Sequence, residues 1–244
     1  MERVLVGTLF SDVKDYAIRD YFKNVCKFSH PNFDFCAVDN SKDKKYHKKI
    51  FNYFSEHKKN SNIGKLTVLH APRVHPQSEV FMAFSANELR KHFLKHNYDW
   101  LLYLECDIFP PIDILERLLC FNKPIISGLY FTGEGKTSYP MIDGKSFYLD
   151  GMRINPMGYL QGFYDIKDWL TPRPVINSGL GCSLIYKDVI ERIPFRADDE
   201  RIFHHDTTFA YDLVKHGIQN LYVPIICRHE NQRWDVQRQM IQSG

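Results

Sequence analysis

Residues 99–111 read DWLLYLECDIFPP. An apolar run at residues 100–104 reads as a buried strand, and two carboxylates, Glu105 and Asp107, follow it at once. One residue separates them, so in extended backbone both side chains leave the same face. They stand just beyond the carboxyl end of the strand, where open α/β sheets place their ligands. Two hard oxygen donors at such a place suit Mn²⁺ or Mg²⁺, and such an ion in turn suits a diphosphate. Pro111 then fits the first turn of a helix running to about residue 119.

The rest of the chain repeats this alternation. Short apolar runs at residues 4–9, 34–39, 66–70, 125–130, 182–186 and 221–226 read as further strands. Between the first two, residues 13–27 are expected to be helical. Within residues 42–57, Tyr46, Ile50 and Tyr53 fall at helical spacing with lysines on the other side. Within residues 78–96, Met82, Ala86, Leu89 and Phe93 do the same. Asp206 stands where it can cap a helix running to about residue 216, and Gly217 stands where such a helix stops. Strands alternating with helices predict an α/β fold of three layers, with a mainly parallel central sheet flanked by helices. No linker or internal repeat divides the sequence, so residues 1–244 read as a single domain. Residues 131–175 break the pattern. They are rich in Gly, Pro, Tyr and Met without a clean period, and are expected to form a long loop that covers the ligand site.

Composition limits the classes of function. The 244 residues suffice for one large core, and 44% hydrophobic with 25% charged residues exclude a disordered chain. A formal charge of +3 and a pI of about 8.4 suit an anionic ligand but lack the strongly basic stripe of a nucleic-acid binder. No apolar run approaches the roughly 18–20 residues that span a bilayer. The N-terminal MERVLVGTLF lacks the cleavage site of a signal peptide, so a soluble, cytoplasmic protein is expected. The six cysteines form no C-x-x-C pair, and Cys36, Cys182 and Cys227 sit in strand-like runs, which marks them as small core residues.

A strand ending in D-x-D, or a variant of it, resembles the metal and nucleotide-sugar motif of GT-A-fold glycosyltransferases, here Glu105-Cys106-Asp107. The first acid departs from the usual Asp. Other segments resemble this superfamily in its own order, including its family-2-like members, and the likeness runs through the whole chain. It implies a Rossmann-like GT-A fold. It also implies that Asp107 is the direct metal ligand, with Glu105 assisting. In VPIICRHEN, His229 resembles the histidine that completes the metal site. Thr8 and Asp39, at the ends of the first two strands, resemble residues that contact the nucleoside. Asn87 and Arg90, in SANELRKHF, resemble a helix face turned to the donor. The turn INSGLG, with Gly179 and Gly181, resembles the glycine-rich turn beside the acceptor and the donor sugar. In IFHHDTTFAYDLVKHG, Asp206 takes the place of the catalytic base, preceded by His205 where the family has Glu. Arg233 and Arg238 are placed to meet donor phosphates, since arginine suits phosphate oxygens.

The implied reaction is metal-dependent transfer from a nucleotide-sugar donor, a UDP-sugar first, to an acceptor hydroxyl, with inversion. The implied cofactor is Mn²⁺ or Mg²⁺. The acceptor stays open among a glycan, a lipid precursor, a protein and a nucleic-acid base. Two other readings remain. A nucleotidyltransferase has a glycine-rich signature with Lys or Arg after its first strand, and VGTLFSDVKDY has none. A non-catalytic nucleotide- or glycan-binding protein can share the fold, and metal-dependent donor hydrolysis separates it from an enzyme.

Overall fold

A computed structural model of the chain describes residues 2–73, 75, 77–132, 139–140, 171–197 and 204–230. Its strands are β1 (Val4–Phe10), β2 (Phe33–Asp39), β3 (Ile63–His70), β4 (Trp100–Leu104), β5 (Ile108–Phe109), β6 (Ile125–Leu129), β7 (Phe131–Thr132), β8 (Tyr139–Pro140), β9 (Arg173–Val175), β10 (Cys182–Tyr186), β11 (Asn220–Ile226) and β12 (Arg228–His229). The helices are α1 (Ile18–Val25), α2 (Lys45–His57), α3 (Ser78–Lys95), α4 (Ile114–Leu119), α5 (Lys187–Arg192) and α6 (His205–Lys215).

Eight strands form one sheet in the order β3-β2-β1-β4-β10-β6-β11-β9. β1, β2, β3, β4, β6 and β11 run one way, while β10 and the edge strand β9 run against them. The mainly parallel sheet expected from the sequence is present, and each of the seven apolar runs is a strand. The reversal at β10 is an addition, because an apolar run carries no sign of its direction.

Alternation along β1 explains the layers. Val4, Val6 and Phe10 pack with α1, α2 and α4 side chains such as Phe22, Phe54 and Leu115. Leu5 and Leu9 pack on the other face with Leu89 and Phe93 of α3, and with Ile190 and Phe209 from α5 and α6. Burying each such side chain contributes roughly 1.5–3 kcal/mol, so the two apolar faces together clamp the sheet between helices. No helix among the described residues is long and apolar enough to cross a membrane. All six cysteines are free, five of them buried, in keeping with core positions.

Two helix starts differ from the expectation. Residues 13–27 are not one helix. The Ser11 side chain accepts the Val13 N–H and winds residues 12–14 into a 3₁₀ turn, and α1 begins only at Ile18. At the other end of the chain, α6 begins at His205 with His204 in the cap position, so Asp206 lies within the first turn instead of capping it. Most of residues 131–175 lie outside the described residues. Of that expected loop, β7, β8 and β9 are described.

Candidate active site

β1 pairs with β2 so that Phe10 lies opposite Asp39, and with β4 so that Gly7 lies opposite Tyr103. This register brings the carboxyl ends of three neighbouring strands to one level. Glu105 leaves the end of β4 and is pinned there: its N–H donates to the Gly181 carbonyl at 2.9 Å. Its own carbonyl accepts the Ile108 N–H at 3.1 Å, which tightens the turn that holds Asp107.

A small antiparallel ladder then brings a distant residue to the carboxylates. β12 pairs with β5, with His229 opposite Ile108. The Glu230 N–H donates to the Asp107 carbonyl at 2.8 Å. As a result His229 Nε2 lies 3.4 Å from Asp107 Oδ2. The Tyr130 ring, edge-on at 5.8 Å between centroids, backs the imidazole.

Asp107 is almost wholly buried, yet both of its oxygens are engaged. Lys14 Nζ lies 2.9 Å from Oδ1 and 3.2 Å from Glu105 Oε2, so one ammonium bridges the two acids. The Tyr16 hydroxyl donates to Oδ2 at 3.2 Å. Burial opposes the Asp107 charge, but Lys14 and His229 override it and hold the carboxyl well below the usual carboxylate range. Burial likewise opposes the Lys14 charge, and Glu105 and Asp107 outweigh it and raise the ammonium well above its ordinary value.

Beside this cluster opens a cleft of about 330 Å³, lined by Leu9, Asn40 and Glu105 from the three strand ends. Phe81 and Met82 of α3 form an apolar wall, and Lys14 and Arg73 add positive charge. Arg73 is held in place. Its guanidinium bonds Asp12 Oδ1 at 2.9 Å and the Asn40 carbonyl at 3.2 Å, and lies 5.1 Å over the Phe81 ring.

The spacing of these donors suits a divalent ion. An octahedral ion about 2.1 Å from each ligand sets neighbouring ligands about 3 Å apart. The 3.4 Å between a carboxylate oxygen and an imidazole nitrogen is close to that, and this O,N pair suits Mn²⁺. Asp107 and His229 therefore fit as two ligands. Among the described residues no group of three or more His, Cys, Asp or Glu side chains is arranged to hold a metal. Glu105 is joined to Asp107 through Lys14.

No protein-family profile matches the sequence, and no curated protein matches it. Solved structures do. The mannosyltransferase PcManGT from Pyrobaculum calidifontis, in complex with GDP-Man and Mn²⁺, superposes with a TM-score of 0.60 at 13% identity, covering 98% of this chain and 60% of that one. GalNAc-T7 with UDP, GalNAc and Mn²⁺ gives 0.61 at 12% identity, covering 94% of this chain and 44% of that one. A197 from STIV gives 0.51 at 14% identity, covering 96% and 87%. The fold is GT-A. The chain spans less than two thirds of the length of both sugar-nucleotide complexes, 60% and 44%.

The residues expected from the sequence take different places in this GT-A sheet. Asp107 and His229 meet, and Glu105 joins them through Lys14. Asp206 is half-buried and accepts the Thr207 N–H at 2.7 Å. It lies in electrostatic reach of the same cluster. Burial first, then the charges of Glu105 and Asp206 together, raise the phenols of Tyr103 and Tyr130 well above their ordinary value. His205, next in sequence, is buried with Nε2 hydrogen-bonded to the Tyr103 hydroxyl at 2.9 Å. His204 is exposed, with Nε2 3.7 Å from Glu79.

Asp39 is wholly buried at the end of β2. One oxygen accepts the Ser41 N–H at 3.0 Å; the other, Oδ2, has no hydrogen bond among the described residues and lies 3.5 Å from His70 Nδ1. Thr8 lies inside the core, hydrogen-bonded to the Tyr21 hydroxyl, and does not line the cleft. Asn87 and Arg90 are engaged elsewhere. Asn87 bonds both backbone groups of Phe195, and Arg90 bonds the carbonyls of Ile190 and Glu191 at 2.6 and 2.9 Å, which ties α3 to the α5 segment. Arg233 and Arg238 lie outside the described residues.

Gly179 takes the left-handed conformation (φ 63°), with its N–H on Asn177 Oδ1 at 2.8 Å. Gly181 matters for space. A Cβ there would stand 2.5 Å from the Tyr130 ring, whose hydroxyl accepts the Gly181 N–H at 3.1 Å. Gly181→Ala is therefore expected to push Tyr130 toward His229 and to shift the carbonyl that pins Glu105. Overpacking of this kind costs about 1–3 kcal/mol. Chemical denaturation checks the stability loss, and Mn²⁺ titration of the folded variant checks the displaced histidine. An unchanged midpoint would show that the ring yields freely.

His205 gives the site a pH signature. Burial is the largest influence and lowers its pKa, against the opposing charges of Asp206 and Glu105. An unfolded histidine titrates near about 6.5, so the unfolded chain takes up a proton that the native chain resists. The contribution to stability is complete above about pH 6.5 and is lost as the pH falls below it. Denaturant midpoints should fall from about pH 6.5 downward in the wild type, and less steeply in His205→Gln. Equal slopes would contradict a neutral buried imidazole.

Lys14, Tyr16 and Arg73 were not singled out by the sequence reading. The available signal was Ser11, whose side chain caps the 3₁₀ turn and swings Lys14 back over the end of β4.

Proposed function

We propose that the chain is a metal-dependent glycosyltransferase that moves a sugar from a nucleoside-diphosphate sugar, a UDP-sugar first, to an acceptor hydroxyl. One observation carries this reading. A buried carboxylate and an imidazole, 3.4 Å apart, adjoin Glu105 and Cys106, which line a largely apolar cleft at the carboxyl ends of the central strands. The cleft suits a nucleoside on Phe81 and Met82, with the diphosphate directed to the charged end. Two solved structures of this fold hold UDP or GDP-Man together with Mn²⁺.

Asp107 and His229 are the residues to hold Mn²⁺ or Mg²⁺. When bound, such an ion neutralises charge building on the departing diphosphate. The chain's own groups do the rest. Lys14 adds positive charge to the diphosphate end of the cleft. Asp206 accepts the proton of the acceptor hydroxyl as its oxygen bonds the anomeric carbon and the carbon–oxygen bond to the diphosphate breaks. Attack opposite the leaving group gives inversion. His205 is buried against the Tyr103 hydroxyl, and burial lowers its pKa, which weakens it as a competing base.

The test is release of nucleoside diphosphate from a panel of UDP- and GDP-sugars, with and without Mn²⁺. Metal-dependent release from one donor, absent in Asp107→Ala, is the expected result. No release from any donor, with nucleotide binding intact, would support a non-catalytic binding protein. Pyrophosphate release from a nucleoside triphosphate and a sugar phosphate would favour a nucleotidyltransferase.

A further inference from the structure

We propose that Lys14 is the diphosphate-binding residue of the cleft, and that Glu105 acts by positioning Lys14 instead of by ligating the metal. The inference rests on the donor-binding reading above and assigns roles within it. Lys14 Nζ lies 2.9 Å from Asp107 Oδ1 and 3.2 Å from Glu105 Oε2. The Asp107 oxygen that faces His229 is the other one, Oδ2. Lys14 and His229 therefore meet different oxygens of Asp107, and Oδ2 also accepts the Tyr16 hydroxyl. Glu105 lies on the lysine side.

Lys14 is also placed to meet a ligand. Its side chain is 36% exposed, whereas that of Asp107 is 2% exposed, and it lines the cleft with Glu105 and Cys106. An ammonium has three donors, and the two carboxylates use two. Among the described residues no other group takes the third, which can meet an oxygen arriving from the cleft. The 3₁₀ turn at residues 12–14 holds the backbone in place, so little freedom remains to be lost on binding. The arrangement gives a fixed positive charge beside the metal pair, the combination that a diphosphate with several negative oxygens needs.

Glu105 then has a defined task. Together with Asp107 it fixes the ammonium at the cleft mouth. A neutral Glu105→Gln loosens Lys14 but removes nothing from the Asp107–His229 edge.

Calorimetric titration of the full chain with four probes tests this: Mn²⁺ alone, then inorganic pyrophosphate, UDP and GDP, each with Mn²⁺. Lys14→Met should weaken pyrophosphate and the preferred nucleoside diphosphate by about 10- to 100-fold, the range of a charge-assisted hydrogen bond. It should bind Mn²⁺ alone at least as tightly as wild type, because a neighbouring cation is gone. Lys14→Arg keeps the charge and should recover most of the affinity, which controls for a folding defect in Lys14→Met. Glu105→Gln should weaken pyrophosphate while leaving Mn²⁺ alone within about twofold, and the double variant should be no worse than Lys14→Met. Unchanged pyrophosphate binding in Lys14→Met would overturn the lysine's role. Loss of Mn²⁺ binding in Glu105→Gln, as in Asp107→Asn, would overturn the positioning role. Lys14-dependent pyrophosphate binding without any UDP or GDP binding would support Lys14 and contradict the nucleotide-sugar reading, so the two can fail separately.

Discussion

Asp107→Ala is expected to lower metal-dependent turnover by about 10³-fold or more, since metal stabilisation of the leaving group is worth several kcal/mol and each 1.36 kcal/mol is tenfold in rate. Asp107 is the residue on which Lys14, Tyr16 and His229 converge. On the proposed reading its loss removes one of the two metal ligands and leaves His229 alone. The fold should survive. Lys14 keeps Glu105 at 3.2 Å and is 36% exposed, so water can solvate what the variant leaves unpaired. Circular dichroism should stay native while Mn²⁺ titration loses its signal. A variant that still binds Mn²⁺ with near wild-type affinity would place the metal elsewhere.

Asp206→Asn is expected to lower kcat by about 10²- to 10⁴-fold, the usual contribution of a general base. Donor and Mn²⁺ affinities should stay close to wild type, because Asp206 accepts its bonds from Thr207, from the N–H at 2.7 Å and the hydroxyl at 3.4 Å. Asparagine can still accept that bond, so the start of α6 stays formed. A charge in the first turn of a helix is worth only about 0.3–1 kcal/mol, which keeps the stability loss small. The split between an intact KM for donor and a collapsed kcat distinguishes a base from a binding residue. The product formed by the wild type should carry the inverted anomeric configuration by nuclear magnetic resonance. Turnover of Asp206→Asn near the wild-type rate, or a retained configuration, would remove Asp206 from this role.

The sheet was legible because its strands are short apolar runs, and such runs have few other uses in a chain of this composition. Glu105 and Asp107 were legible as acids just past an apolar run; they sit in a turn closed by the Ile108 N–H on the Glu105 carbonyl instead of in extended backbone, and one ammonium touches both. His229 was reached through the resemblance, and the structure adds the cause, a two-residue ladder between β5 and β12. Lys14 was hidden because its partners lie 91 and 93 residues away in sequence. Nothing local in SDVKDY announces a long-range ion pair. Residues 13–27 looked helical throughout, and a single serine cap redirected their first turn. Asn87 and Arg90 show the reverse limit. Helical spacing placed them on α3, but only the packing of α5 against that helix shows that their side chains hold backbone carbonyls. Thr8 stands at the right strand, but the register of β1 turns it toward Tyr21 in the core.

The central claim is that Asp107 and His229 hold a metal through which this cleft binds a nucleoside diphosphate. Calorimetric titration of UDP and of GDP into the protein, with and without Mn²⁺, on wild type and Asp107→Ala, tests it most directly. The account expects one diphosphate to bind the wild type only when Mn²⁺ is present, and not to bind Asp107→Ala in either condition. Equal affinity with and without Mn²⁺, or no binding of either diphosphate to the wild type, would contradict it.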